Sequence, residues 1–260
     1  MFEVNRLKEK IALITGATSG IGKSCAEKFA SFGMNLIITG RRENLLLEIK
    51  KELEEKYKIE VKVLAFDVKN SSQVVSKISS LEDRWKNIDI LVNNAGLALG
   101  LDKLYENSNE DIDTVIDTNI KGLLYVTNAV VPLMLKRDVV TTIINIGSVA
   151  GDAAYAGGAV YCATKAAVKI LSDGLRIDLV GTKVKVTDVK PGLVETNFSM
   201  VRFKGDKERA ENVYKGIEPL TPDDVADTVL YVANLPANVH IAELTILCNN
   251  QADGRTICRS

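Results

Sequence analysis

Histidine is nearly absent from this sequence, since His240 is the only one in 260 residues. A catalytic triad or a zinc site built on histidine therefore has almost nothing to work with. The four cysteines form no Cys-x-x-Cys pair and show no metal-ligand spacing, so reduced thiols that bind no metal are the better interpretation. We expect no metal site, and we expect a structural or surface role for His240, which lies near the start of a late strand.

An excess of one charge and a long apolar run are also missing. The 33 basic and 34 acidic residues give a net charge of −1, which argues against a nucleic-acid binder or a membrane-surface protein. No apolar run reaches the ~18 residues that cross a bilayer. The segment 1–10 is charged and lacks the apolar core of a signal peptide. These features predict a cytoplasmic protein that has neither a membrane nor a nucleic acid as its partner.

A glycine-rich stretch lies between two apolar segments near the start of the chain. Residues 11–14 predict a strand, residues 15–22 read Thr-Gly-Ala-Thr-Ser-Gly-Ile-Gly, a helix follows to about Phe32, and residues 36–39 predict a second strand. Alone, such glycines could form a tight turn that binds nothing. Inside a βαβ unit they let backbone N–H groups and a helix N-terminus face a pyrophosphate. This context predicts a dinucleotide site.

The second strand ends in Gly40-Arg41-Arg42, and residues 39–42 include no Asp or Glu. An acidic residue here would bind the ribose 2′-hydroxyl of NAD, whereas an arginine accommodates the 2′-phosphate of NADP. The alternative is a solvated start of the charged helix that follows from Glu43. Cations are disfavoured at a helix N-terminus unless an anionic group is near, so the pattern predicts NADP.

Strands alternate with helices through the rest of the chain. Further strands are predicted at 61–66, 88–92, 141–146, 184–189 and 242–247. Helices are predicted at 71–84, 111–135, 160–180 and 221–234, with a mobile flap at 200–216. This alternation predicts an α/β fold, a single Rossmann-type domain whose doubly wound parallel sheet of about seven strands carries helices on both faces. We assign 1–260 to one domain, with a dinucleotide-binding part at 9–150 and a catalytic and substrate part at 148–260.

One helix carries Tyr161 and Lys165, four residues apart and hence on the same face. A nearby ammonium lowers the pKa of a phenol, so the pair can serve as a general acid and base. Tyr-x-x-x-Lys alone is weak, because an ordinary amphipathic helix would explain it. Ser148 upstream and the glycine loop favour the catalytic interpretation. Asn119 lies inside a predicted helix, where a surface position is the simple alternative.

These residues together resemble a short-chain dehydrogenase/reductase. Six motifs occur in the family's order along nearly the whole chain: Thr-Gly-x-x-x-Gly-x-Gly at 15–22, Asn-Asn-Ala-Gly at 93–96, Asn119, Ser148, Tyr161-x-x-x-Lys165 and Pro191-Gly192. More narrowly, residues 155–165 and 238–244 are similar to the NADP-dependent 3-hydroxy acid (serine, allo-threonine) dehydrogenases. The sequence departs from these relatives at Cys248, where a proline would be expected.

The resemblance implies a role for each residue of the site. Tyr161 would exchange a proton with the substrate oxygen, and Ser148 would hydrogen-bond the same oxygen. Lys165 would lower the pKa of Tyr161 and hold the nicotinamide ribose, while Asn119 would hold a water that links Lys165 to solvent. The implied contacts to NADP(H) are Gly16, Thr18, Ser19, Gly20, Ile21, Gly22, Arg41, Arg42, Asp67, Val68, Asn94, Ala95, Gly96, Tyr161, Lys165, Pro191, Gly192, Val194 and Thr196.

The resemblance also implies a homotetrameric enzyme that acts on CH–OH groups and transfers a hydride between NADP and a small 3-hydroxy acid such as serine, allo-threonine or 3-hydroxypropionate. A reductase of 3-oxoacyl groups or other ketones is one alternative. A non-catalytic NADP sensor is another, although a sensor would not need the proton relay. A substrate carboxylate needs a cationic partner. Arg202, Arg255 and Arg259 are candidates, and each could instead be a solvated surface charge.

Overall fold

Seven strands form one sheet in this computed structural model, which describes residues 4–259. Residues 1–3 and 260 lie outside the described residues, and so do the predictions made for them. The strands are β1 (Ile11–Ile14), β2 (Asn35–Gly40), β3 (Val61–Ala65), β4 (Ile90–Asn93), β5 (Thr141–Ile146), β6 (Val184–Pro191) and β7 (Glu243–Ile246). Their order is β3-β2-β1-β4-β5-β6-β7, and all neighbouring pairs are parallel.

Helices connect the strands, as parallel pairing requires. They are α1 (Gly20–Ser31), α2 (Glu43–Tyr57), α3 (Ser71–Ser79), α4 (Asn109–Ile116), α5 (Leu123–Leu135), α6 (Ala159–Asp178), α7 (Phe198–Arg202), α8 (Lys207–Asn212) and α9 (Pro222–Ala233). The described chain, from 4 to 259, has no helix long and apolar enough to span a bilayer. The same residues include no group of three or more His, Cys, Asp or Glu side chains that could hold a metal ion.

The sheet is buried on both faces. Alternate residues of β1 enter two different apolar clusters, with Ala12 and Ile14 in one and Ile11 and Leu13 in the other. Helices α1, α2 and α9 contribute to the first cluster, and α3 and α5 contribute to the second. The predicted doubly wound sheet is therefore confirmed. The division into parts 9–150 and 148–260 stays a prediction.

The predicted helix 71–84 is wrong beyond Ser79. The hydroxyls of Ser79 and Ser80 donate to the carbonyls of Ser76 and Lys77. Such local bonds compete with continuation of the helix, and a 3₁₀ turn at Asp83–Lys86 follows instead. The predicted strand 88–92 begins later, at Ile90, while the buried carboxylate of Asp89 accepts the N–H of Ile11 at 2.8 Å.

The predicted helix 111–135 is interrupted in its middle by a π segment at Asp117–Gly122, between α4 and α5. Asn119 lies in this segment and only 2% of it is exposed, so the surface alternative for this asparagine is wrong. The helix start predicted at Thr221 is confirmed, because Thr221 and Asp224 form a reciprocal capping box. Such a cap contributes about 1 kcal/mol.

Candidate active site

A cavity of about 1150 Å³ opens at the carboxyl edge of the sheet. Its lining comes from the loops that follow the first six strands, from α7 and α8, and from the last residues of the chain. The cavity includes the edge between β1 and β4, where the strand order reverses, and sheets of this type bind ligands at that point. Of the predicted cofactor contacts, Gly22 is the one that does not line this cavity.

The glycine loop leaves the N-terminus of α1 available to an anion. Gly16 and Gly20 have φ angles of +68° and +53°, which favour glycine. Ser19 precedes the helix but makes no side-chain capping bond, and the first turn carries no acidic residue. The first N–H groups and the positive end of the helix dipole thus suit a pyrophosphate.

Gly22 has a packing role, and the cofactor contact predicted for it stays a prediction. A Cβ at this position would lie 2.4 Å from the carbonyl oxygen of Gly16 and 2.4 Å from Nδ2 of Asn94. Asn94 donates from Nδ2 to the carbonyls of Thr15 and Gly16, and Thr15 Oγ1 accepts the N–H of Asn94. These bonds join the loops after β1 and β4. The role of Thr15 could not be predicted from the sequence, because it depends on this long-range contact.

Arg41 and Arg42 both line the cavity at the end of β2, and both are exposed. The Arg42 guanidinium donates to Thr18 Oγ1 at 2.7 Å, so it stands over the glycine loop. Asp67 and Val68 line the same part of the cavity after β3. The arrangement offers cationic groups where a ribose phosphate would lie in a Rossmann-type fold.

The side chains of the predicted catalytic residues Ser148, Tyr161 and Lys165 line the same cavity. Ser148 follows β5 and lies near the Tyr161 hydroxyl. Its Oγ donates to the Pro191 carbonyl at 3.4 Å and accepts the Ala150 N–H at 3.1 Å. Lys165 is 7% exposed and donates to the carbonyl of Ile146 at 2.7 Å. Its Nζ lies 5.8 Å from the centre of the Tyr161 ring. A hydroxyl, a phenol and an ammonium thus converge at one point of the cavity.

Burial has the largest effect on the pKa values of Tyr161 and Lys165. Burial, and then the neighbouring Tyr155 phenol, raise the pKa of Tyr161, while the Ser148 hydroxyl and the Arg202 guanidinium lower it by less. Burial also lowers the pKa of Lys165 to about 8, against the opposing charge of Asp188. The sequence predicted that Lys165 lowers the Tyr161 pKa. In this structure the Arg202 guanidinium lowers the Tyr161 pKa, and the effect of Lys165 stays a prediction.

Asn119 holds three elements together through its side chain. Its Oδ1 accepts the Leu97 N–H at 2.9 Å, and its Nδ2 donates to the Leu97 carbonyl at 2.8 Å and to Thr164 Oγ1 at 3.0 Å. The amide is therefore occupied by the loop after β4 and by α6. Asn119 does not line the cavity, and the water expected to bind it stays a prediction.

Of the three arginine candidates, Arg202 lies beside the catalytic tyrosine. Its guanidinium carbon is 5.4 Å from the centre of the Tyr161 ring. It donates to the Tyr155 hydroxyl at 2.5 Å and to the Gly100 carbonyl at 3.2 Å. Arg259 also lines the cavity but donates to the carbonyls of Val213 and Lys215, and the exposed Arg255 lines its edge.

His240 lies away from this site and does not line the cavity. Its Nε2 is 3.1 Å from the backbone nitrogen of Val186 and 2.8 Å from the Val186 carbonyl oxygen. The ring thus contacts the backbone of β6, in agreement with the structural role expected for this histidine.

A family model described as short chain dehydrogenase matches residues 10–207. This chain is a short-chain dehydrogenase. As predicted from its motifs, the dehydrogenase is an oxidoreductase whose Ser148, Tyr161 and Lys165 occupy one end of the cavity.

Individual relatives cover almost the whole dehydrogenase. It is 43% identical over 257 residues to an NADP-dependent 3-hydroxy acid dehydrogenase of Schizosaccharomyces pombe, which spans 98% of this chain and 99% of the relative. It is 44% identical over 242 residues to sulfoacetaldehyde reductase 2 of Chromohalobacter salexigens, with 93% and 95% covered. Among solved structures, the closed form of serine dehydrogenase complexed with NADP+ is 48% identical, with a TM-score of 0.88 and coverage of 93% and 96%.

Replacing Tyr161 by Phe should lower kcat by about 10²–10⁴-fold, which is the usual contribution of general acid–base catalysis. Cofactor affinity should stay nearly unchanged, because the ring keeps its edge-on contact with Phe198 at 5.5 Å. Steady-state kinetics and a cofactor titration measure the two effects. Tyr125→Phe is the matched control, since Tyr125 does not line the cavity and its loss should leave turnover intact. Near-wild-type turnover of Tyr161→Phe would exclude this tyrosine as the acid and base.

Proposed function

We propose that this dehydrogenase transfers a hydride between NADP and the hydroxyl-bearing carbon of a small 3-hydroxy acid of the serine, allo-threonine or 3-hydroxypropionate type. The observation that carries the proposal is the Arg202 guanidinium, 5.4 Å from the centre of the Tyr161 ring. A cation at that distance can bind the carboxylate of a substrate whose hydroxyl meets Tyr161. The names of the relatives in Schizosaccharomyces pombe and of the NADP+-bound serine dehydrogenase support the same substrate class and cofactor.

The nicotinamide would supply the hydride chemistry, as it does in other enzymes that use it. During oxidation Tyr161, in its phenolate form, takes the proton of the substrate hydroxyl, and during reduction it returns that proton. Ser148 donates a hydrogen bond to the same oxygen and stabilises charge that develops on it. Lys165 would hold the ribose and pass protons towards a water held by Asn119. The side chains of Ser148, Tyr161 and Lys165 already line the same cavity.

The residues at the other end of the cavity suit NADP. The uncapped α1 and the glycine loop can bind the pyrophosphate, and Arg41 and Arg42 can bind the 2′-phosphate. Asp67, Val68 and the segment Asn94–Gly96 would surround the adenine and ribose, while Pro191, Gly192, Val194 and Thr196 would contact the nicotinamide. All of these positions line the cavity. Gly22 is not among the contacts that we propose.

Arg202 has unused donors with which to bind an anion. A guanidinium carries five N–H groups, of which Nε donates to Gly100 and one on Nη2 donates to Tyr155. The Nη1 group and the second hydrogen of Nη2 can therefore bind both oxygens of a carboxylate. A sulfonate would fit the same fork, and the sulfoacetaldehyde reductase relative favours it as a second candidate anion.

We also propose that the enzyme is a homotetramer. Ile170 and Ile177 lie seven residues apart on one face of α6, and 67% and 72% of their surfaces are exposed. Val180, just after this helix, is 81% exposed. Apolar side chains grouped in this way suit an interface between copies of the chain. A cytoplasmic location stays the prediction from composition.

Cofactor choice should depend on Arg41. Loss of a charge-assisted hydrogen bond costs about 1.5–3 kcal/mol, so Arg41→Ala should raise the KM for NADP by about 10–100-fold and leave the KM for NAD nearly unchanged. Arg84→Ala, at a surface arginine that does not line the cavity, is the control. Equal efficiency of the wild-type enzyme with NADP and NAD would refute the proposed cofactor preference.

Substrate charge should be recognised by Arg202. Arg202→Gln should raise the KM for a 3-hydroxy acid by about 10–100-fold, while the KM for the neutral methyl ester should change little. Arg255→Gln serves as the control at the cavity edge and should preserve the preference for the acid. Equal losses with the acid and the ester would contradict a charge-specific role. Faster turnover of bulky neutral ketones or 3-oxoacyl groups, without activity on hydroxy acids, would favour the alternative reductase.

The proposed assembly predicts a mass well above that of the 28.3 kDa chain. Light scattering at micromolar concentration should give about four times that mass, and Ile177→Asp should reduce it, because a carboxylate is costly in an apolar interface. Val75→Asp on α3 is the control, since Val75 is 57% exposed but lies on another helix. A monomeric wild-type protein would exclude the tetramer.

A further inference from the structure

The carboxylate of Asp188 lies behind the catalytic end of the cavity. The proposed mechanism does not use it. Asp188 is in the middle of β6 and is 2% exposed. Within residues 4–259, neither of its carboxylate oxygens has a hydrogen-bond partner. The Gly147 N–H is near enough to affect this carboxyl, but it donates to the Val189 carbonyl at 2.8 Å. A buried ionised carboxylate without a partner is costly, so its position needs an explanation.

The carboxylate packs against the backbone of Gly147, a residue that lines the cavity. A Cβ on Gly147 would lie 2.2 Å from Asp188 Oδ1, so the absence of a side chain lets the carboxylate pack against this backbone. Gly147 lines the cavity and immediately precedes Ser148. Asp188 therefore approaches the catalytic group from inside the protein.

Strand register places Asp188 on the face of the sheet that α6 covers. Asp188 pairs with Asn145 on β5, and residues paired in register point to the same side. Asn145 donates from Nδ2 to Ser172 Oγ of α6 at 2.8 Å. Lys165 extends from this same helix and donates to Ile146, the residue after Asn145. Asp188 and Lys165 are thus buried between the same helix and the same pair of strands.

The other charges around Asp188 neutralise one another. Lys190 on β6 contacts Asp152 at 3.0 Å and Glu243 at 2.5 Å, and Lys169 on α6 contacts the same two carboxylates at 3.1 and 3.7 Å. Two cations are therefore matched by two anions. Arg176 of α6 donates to the carbonyls of Val186 and Ala242, and its charge is matched by Asp173 at 2.7 Å. That leaves Lys165 and Asp188, one of each sign, and β5 contributes the neutral Asn145.

We propose that Asp188 is a positioning residue of the active site, whose buried charge keeps Lys165 protonated. The attraction works in both directions, since Asp188 raises the pKa of Lys165 and Lys165 lowers that of Asp188. Burial is the larger effect on both, and it leaves the Lys165 pKa at about 8 and the Asp188 pKa at about 6. Both groups are consequently charged at neutral pH. Without Asp188, burial would act on Lys165 unopposed.

This inference goes beyond the proposed substrate and can be tested without it. The side-chain ¹³Cε signal of Lys165 is followed against pH in the cofactor-free protein and is assigned by its loss in Lys165→Arg. The wild-type midpoint should be about 8, and in Asp188→Asn it should fall by about one pH unit. Asp188→Ser is measured as well, because the Asn amide brings buried N–H donors that can impair folding.

Glu243→Gln is the matched control. Glu243 lies opposite Asp188 on β7, but its charge is engaged by Lys190 and Lys169. Its loss should leave the Lys165 midpoint unchanged. An unchanged midpoint in both Asp188 variants would overturn the proposal, and equal shifts in Asp188→Asn and Glu243→Gln would assign the effect to the whole cluster and overturn it too.

Kinetics then links this charge to catalysis. The alkaline limb of kcat/KM for alcohol oxidation should move to lower pH in Asp188→Asn by the same amount as the Lys165 midpoint. A purely structural role for Asp188 would reduce stability and leave this limb in place. If the enzyme proves inactive on hydroxy acids, the proposed function fails while the Lys165 titration still decides the role of Asp188.

Discussion

Parallel pairing of the strands is the constraint on which the rest of this structure depends. Each strand must be followed by a crossover, so helices cover both faces of the sheet and the carboxyl ends of all strands meet at one edge. That edge collects the glycine loop after β1, the arginines after β2, Asn94 after β4 and Ser148 after β5. The site is thus assembled by topology from residues that are far apart in the sequence.

Two glycines allow segments of the chain to approach each other closely at this edge of the sheet. Gly22 permits contact between α1, the Gly16 carbonyl and Asn94, and Gly147 permits the carboxylate of Asp188 to lie directly behind the cavity wall. At both places a methyl group would collide with oxygen or nitrogen atoms at 2.2–2.4 Å. At Gly22 and Gly147, glycine is needed because a side chain would not fit. At Gly16, the backbone also has a positive φ angle.

Local patterns in the sequence predicted most of the fold and the groups that line the cavity. Tyr161 and Lys165 share a helical face, and Ser148 ends a strand, so their convergence follows from periodicity and topology. The π segment around Asn119, the packing role of Gly22 and the Thr15 contact could not be predicted in this way, because each depends on a partner distant in the sequence. Asp188 looked like any polar residue within a strand until its burial and its unmatched charge were known.

Two cations, Arg202 and Lys165, flank Tyr161. They differ in their exposure to water, and their roles differ accordingly. Arg202 is partly exposed in the cavity and keeps donors for an incoming anion, so its charge is compensated by the substrate. Lys165 is 7% exposed, so compensation of its charge depends mainly on groups within the fold. Substrate recognition can therefore change through the segment that carries Arg202, while the acid–base chemistry stays tied to the sheet through Asp188.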